Sequence, residues 1–229
     1  LWKHHSHFDI TTIIDVPDRI KRHRPPQEEH GQARTRLARR AVVTAARTLF
    51  LERGYARTTI DAVSALSDVP VATVYRLFAT KLGILRALVD TSIGGDDQPL
   101  AVQDRPDVAA LLSESDPTRL LSGLARLTTA INQRTNEVYR VLVSAAASDL
   151  AAAALLADLQ DQRDRGQIQI VRALLRCGGL RAGLSQRDAA DLVHALISPD
   201  LYRLLVVDRG WSPERFERWL AATLVAQLT

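Results

Sequence analysis

The feature that most constrains this chain is a helical rhythm that almost never gives way to a strand rhythm. From Thr35 onward apolar residues recur at spacings of three and four, as in Val42, Ala45, Ala46, Leu49 and Phe50, which paints one face of a helix. Only Ile10 to Ile14 reads as β-like, and a lone strand has no pairing partner. Neither βαβ alternation nor a repeat of fixed period occurs. The class is therefore all-α.

Turn residues divide this pattern. Gly54 ends the first helix where a positive φ is wanted. Thr58 and Thr59 supply hydroxyl caps for a short second helix with Ile60, Val63 and Leu66 inward. Pro70, favourable in a first turn, opens a third helix through Phe78, and Thr80 and Lys81 begin a fourth with Leu82, Leu85 and Leu88 or Val89 as its stripe. Beyond the break at Gly94-Gly95-Asp96-Asp97, helices are expected from Asp116-Pro117 to about Arg134, from Asn136 to Ser148, and from Ala151 to Cys177. Two more are expected, from Ser185 to Asp208 with a kink or break at Ser198-Pro199, and from Ser212 to Leu228.

Residues 1–33 differ, holding five of the six histidines and the pair Pro25-Pro26; a mostly disordered arm is expected there. The cluster His4, His5 and His7 lacks a fixed backbone or acidic partners and reads as a solvated tail, so no metal is expected. The chain has no methionine, which makes Leu1 either a literally translated non-ATG start or the edge of a trimmed fragment. A single cysteine, Cys177, excludes an internal disulfide framework and a Cys-based zinc site, and suits a reducing, cytoplasmic setting. The longest apolar run, Leu150 to Ala157, is eight residues, against the roughly twenty a membrane crossing needs.

Net charge is a mild +4, but it is unevenly spread. Residues 31–90 carry ten Lys/Arg and four Asp/Glu, or +6; residues 1–30 sum to 0 and residues 91–229 to −2. Basic charge thus gathers on two short helices joined by a tight turn, a helix-turn-helix whose second member can enter the DNA major groove.

Ala45-Ala46-Arg47-Thr48-Leu49-Phe50, Arg53-Gly54-Tyr55, Thr58-Thr59-Ile60, Val69, Thr73-Val74-Tyr75-Arg76-Leu77-Phe78 and Lys81 closely resemble the N-terminal domain of TetR/AcrR-type transcriptional regulators. The stretch Ser198-Pro199-Asp200-Leu201-Tyr202-Arg203 with Arg209-Gly210-Trp211-Ser212-Pro213-Glu214-Arg215 looks like a C-terminal form found among them. The resemblance implies a three-helix DNA-binding domain over residues 34–92, its helix-turn-helix at about 59–78. It implies a helical effector-binding and dimerisation domain over residues 93–229, and a homodimer on a palindromic double-stranded operator. It assigns phosphate contact to Thr59 at the start of the second helix, with Thr58 beside it among the DNA-binding residues, and backbone holding to Tyr75 and Lys81. Pro70, Val71, Ala72, Thr73, Arg76 and Leu77 fall on the exposed face of the recognition helix.

Two departures matter. Asp68 stands in the turn where glycine is common, and Asp tolerates the left-handed conformation. Pro70 replaces a common capping serine, losing the hydroxyl but keeping a suitable φ. The apolar pair Val71-Ala72 can meet only thymine methyl groups, which leaves Thr73 and Arg76 as polar readers. Tyr75 has a plainer reading as a packing residue.

In the C-terminal half, polar or aromatic residues interrupt apolar faces at Asn132, Tyr139, Arg172, His194 and Tyr202, the candidate lining of a pocket for a small hydrophobic effector. The last two long helices, with Trp211 and Trp219, are candidates for the dimer contact. The alternative keeps the DNA-binding domain and makes this half a protein-interaction or activator module. An enzyme built on Cys177 and His194 has no activated-nucleophile motif or phosphate loop behind it, and no catalytic residue or cofactor is expected.

Overall fold

The computed structural model describes residues 26–95 and 105–229, and among them every regular element is a helix. The first 25 residues, with Ile10 to Ile14 and the histidine cluster of the expected arm, lie outside the described residues. Helix α1 runs Pro26–Arg53, starting inside the stretch read as an arm up to residue 33. Proline at a first helical position gives up only an N–H that has no acceptor there. Gly54 closes α1 at φ +78°.

Helices α2 (Ile60–Ser67), α3 (Val71–Phe78) and α4 (Lys81–Gly94) follow as expected. Thr59 caps α2 by accepting from the Ala62 N–H, and Thr80 caps α4 by accepting from the Gly83 N–H. Asp68 takes the left-handed conformation in the turn at φ 54°. Leu66 departs from expectation: it is 53% exposed, because α2 is only two turns long and Val63 alone is fully buried on it.

Helix α5 (Pro106–Leu112) carries no expectation from the sequence. Helix α6 (Pro117–Ala146) is continuous where two helices are expected, since nothing between Arg134 and Asn136 breaks a ladder. Asp116 caps α6 and Asp149 caps α7 (Leu150–Arg176), each accepting from two backbone N–H groups. The chain after Ser185 is interrupted as well. Helix α8 (Gln186–Leu196) stops, Ser198 caps the single turn α9 (Pro199–Tyr202), and a π-helical turn, Arg203–Asp208, precedes α10 (Pro213–Leu228).

Leu37–Thr229 forms one unit, and within it two apolar clusters organise the packing. The first joins α1–α4 (Val42, Phe50, Val63, Val74, Ile84, Leu88) to Val138 and Leu142 of α6 and Leu155 and Leu159 of α7. The second joins Leu120 and Leu124 of α6 to Ile170 and Leu174 of α7 and to Val193, Tyr202, Phe216 and Leu224. Because α6 and α7 are antiparallel neighbours, the segments between these clusters face each other at mid-length. Those segments are polar: Thr128, Thr129, Asn132, Thr135 and Asn136 on α6 and Gln167 on α7 are all buried. No helix among the described residues is long and apolar enough to cross a membrane.

Candidate nucleic-acid interface

Helix α3 buries Val74 and Phe78 and turns Pro70, Ala72, Tyr75 and Arg76 outward, with Val71, Thr73 and Leu77 half-buried at the edges of that face. Ala72, Tyr75 and Arg76 stand three and four residues apart, so they share one side of the helix. Tyr75 is 51% exposed, which removes its reading as a core residue and leaves hydroxyl and ring free to meet a ligand. Thr59 is exposed at the N-terminus of α2, where its oxygen holds the Ala62 N–H at 3.1 Å and its own proton points to no acceptor in the helix. The positive end of the α2 dipole lies there, as an incoming phosphate requires.

Two expected DNA contacts are placed otherwise. Thr58 is 1% exposed, and its hydroxyl lies 2.9 Å from the Gly54 carbonyl and 3.2 Å from that of Leu49, so it ties the loop to α1 from inside. Lys81 is turned toward the same loop. Its Nζ donates to the carbonyls of Tyr55 at 2.8 Å and Thr58 at 3.0 Å, with Ala56 at 3.4 Å, and sits 4.3 Å from the centre of the Tyr55 ring. An ammonium has three donors, and all three are used within the protein. Burial pushes Lys81 below the ordinary lysine value, with Asp149 pulling the other way; burial and the same aspartate raise Tyr55.

Residues the sequence did not single out hold α3 in place. Arg39 of α1 donates to the Leu77 carbonyl at 3.0 Å and stacks 4.6 Å from the Phe78 ring centre, gripping the C-terminal end of α3. Ser64 donates to the Val69 carbonyl at 2.6 Å, fastening α2 across the turn. After Phe78 the chain reverses through Ala79 at φ 61° and ψ −43°, with the Thr80 N–H on the Phe78 carbonyl at 2.6 Å. This is a γ-turn with positive φ, strained for a residue with a side chain. Gly83 permits it, because a Cβ there would run into the Phe78 carbonyl oxygen. The sequence signal was present in Gly83 itself, a glycine inside a helix near its start, but its partner is known only from the packing.

The effector candidates separate. Asn132 is buried at mid-α6 and its Nδ2 has no partner; Tyr139 is half-buried one turn beyond Asn136. His194 lies on the rim, its Nδ1 at 3.1 Å from both Asp164 Oδ1 and Gln167 Oε1. Arg172 is exposed on the outer side of α7, and Tyr202 is core, its ring edge-on to Phe216 at 5.1 Å. Neither joins the polar segment. Three residues that do join it are Asn136, Arg163 and Gln167. Arg163 stands in Asp161-Gln162-Arg163-Asp164-Arg165, which in sequence is indistinguishable from a solvated charge run. Beside this segment α7 and α8 form a half-open cleft of about 540 Å³ that includes Gln167, Ile168, Arg187 and His194. Trp211 and Trp219 meet edge-on at 5.9 Å, with Arg215 stacked 4.0 Å from the Trp211 ring centre.

The arrangement agrees with known proteins. Residues 42–88 match the profile of bacterial regulatory proteins of the tetR family. The HTH-type transcriptional regulator YdeS of Bacillus subtilis is 26% identical over 182 residues, which span 79% of this chain and 84% of that protein. Among solved structures, NalD, the secondary repressor of the MexAB-OprM multidrug efflux pump in Pseudomonas aeruginosa, superposes with a TM-score of 0.63 at 19% identity, covering 85% of this chain and 98% of NalD. The transcriptional regulator FadR of Bacillus subtilis, solved with stearoyl-CoA, gives 0.62 at 15% identity, covering 82% of this chain and 98% of FadR. At these identities the structures speak for the fold alone. With an outward-facing second helix on a basic domain and a tetR-type match across it, residues 42–88 form a tetR-type DNA-binding domain, and the chain as a whole is similar to transcriptional regulators that carry one.

Proposed function

We propose that this regulator is a homodimeric repressor that reads a palindromic DNA operator through α3 and is released by a small effector with an apolar body. The observation that carries the DNA reading is the exposed face Ala72, Tyr75 and Arg76, flanked by Thr73 and by the exposed cap Thr59. Arg76 and Thr73 supply donors for base edges or phosphates, and Ala72 supplies a methyl for thymine. Pro70, Val71 and Leu77 frame that face, while Lys81 and Thr58 support it from within.

A dimer follows from symmetry, since one helix-turn-helix covers one half-site and specific affinity normally takes two. Helices α8 and α10 are its proposed surfaces. The repressor sense is carried from NalD, described as a repressor. The open α7–α8 cleft with its exposed Ile168 favours a second reading, in which this half docks another protein.

Selection of bound duplexes from a random pool by the full chain tests the main reading. Two inverted half-sites about one helical turn apart, centre to centre, are expected. Recovery of no common sequence overturns it.

A further inference from the structure

Four polar groups of the α6–α7 mid-segment have nothing to bond to. The Nδ2 atoms of Asn132 and Asn136, the Nη2 of Arg163 and the Nε2 of Gln167 are shut off from solvent without an acceptor. Asn132, Asn136 and Gln167 are 4%, 7% and 5% exposed, so water does not reach them freely. Buried donors normally find partners, and each that does not is destabilising. All four unpartnered groups in this segment are of one kind: they donate.

Their position narrows what could complete them. Along α6 they fall after the apolar cluster of Leu120 and Leu124 and before that of Val138 and Leu142; along α7, after Leu159 and before Ile170. Gln167 reaches from this layer to the open α7–α8 cleft, where its carbonyl oxygen meets His194. The unpartnered groups of the layer are thus all donors, with apolar surface on both sides and one member on a cleft whose lining also carries Asp164 and Asp191. Arg163 gives it positive charge; burial works against that charge, while Tyr139, Asp164 and Asp200 favour it.

Resting on the reading of this half as an effector domain, we infer that the α6–α7 layer is a binding site for a carboxylate carried on an apolar body. Arg163 would meet the carboxylate, and Asn132, Asn136 and Gln167 would donate to its remaining lone pairs. A carboxylate offers about four acceptor positions on two oxygens and suits a guanidinium fork. An alcohol offers one oxygen that must also place its own proton, and an amine adds a second cation. The site therefore selects acid over alcohol over amine at equal chain length.

The test is thermal unfolding of the full chain with straight-chain carboxylates from butanoate to dodecanoate, each beside its matched alcohol and amine. At least one acid should raise the melting temperature by about 2 °C or more beyond its alcohol, and in Arg163→Met that difference should vanish. Without ligand, Arg163→Met should melt no lower than the parent, because a part-buried guanidinium with an unbonded Nη2 has been replaced by an apolar stem. Three results overturn the inference: acids that never exceed their alcohols, an acid preference that survives Arg163→Met, or a ligand-free Arg163→Met that melts several degrees lower, which marks the layer as internally satisfied. Selection of DNA by the parent chain stands apart. If it fails while an acid binds, the operator reading falls and the effector site remains; the reverse outcome removes the site alone.

Discussion

The helix-turn-helix region and the α6–α7 layer treat their buried polar groups in opposite ways. Around α2–α4 the hydroxyls of Thr58 and Ser64 and the ammonium of Lys81 close on backbone carbonyls, and no buried side-chain donor of residues 37–95 lacks an acceptor. At mid-α6 and mid-α7 four donors lack one. A reading head that must meet DNA in a fixed geometry is served by completed bonds, which hold α3 before the duplex arrives. The effector role proposed for the α6–α7 layer would be served by bonds left for the ligand, whose binding energy is then largest where the protein alone is least satisfied.

The strongest way to break the first half of this comparison is Gly83→Ala. Its new Cβ collides with the Phe78 carbonyl, a backbone atom that cannot swing aside, and the γ-turn behind it is already strained. Urea unfolding should show a loss of about 3 kcal/mol or more. A loss below about 1 kcal/mol would mean the α3–α4 corner is not fixed by that contact.

Arg76→Ala sharpens the division between reading and holding. Affinity for the selected duplex should fall about tenfold, the scale of one good base or phosphate contact, while stability stays within about 0.5 kcal/mol, as for an ordinary surface change. A gel-shift titration with unchanged affinity would take Arg76 off the interface. The smallest effects come from adjacent threonines. Thr58→Val should cost about 1–2 kcal/mol of stability through the lost hydroxyl bond to the Gly54 carbonyl. Thr59→Ala should cost about 1 kcal/mol through the lost cap and should also weaken DNA binding evenly across sequences, because a phosphate contact carries no base information. Unchanged affinity of Thr59→Ala for the selected duplex would deny the phosphate contact.

How much of this was legible beforehand depended on whether a residue's role is local. Caps, the left-handed Asp68, the α3 start at Pro70 and the breaks at Gly54 and Ser198-Pro199 are set within a few residues, and the sequence pattern carries them. Thr58 and Lys81, expected at the DNA, meet carbonyls up to 26 residues away, and composition cannot say which way a long side chain turns. Arg163 and Gln167 carry no signal of their own in the sequence, because a charge run on a helix does not show which of its members turns partly inward. Tyr202 reads as pocket lining in the sequence, because an aromatic beside Leu201 and Arg203 does not reveal that Phe216 packs on it. The α6 boundary failed more simply, as no breaker exists between its two apolar patches.

One matched pair of variants tests the contrast most directly. Lys81→Met and Arg163→Met each remove a cationic head and keep an apolar stem, one where every donor is used and one where a donor is left over. Calorimetric unfolding of both, without ligand, should move in opposite directions: Lys81→Met several degrees below the parent, and Arg163→Met at or above it. If both fall alike, the two regions are equally complete and the account of the α6–α7 layer as an unfilled site is wrong.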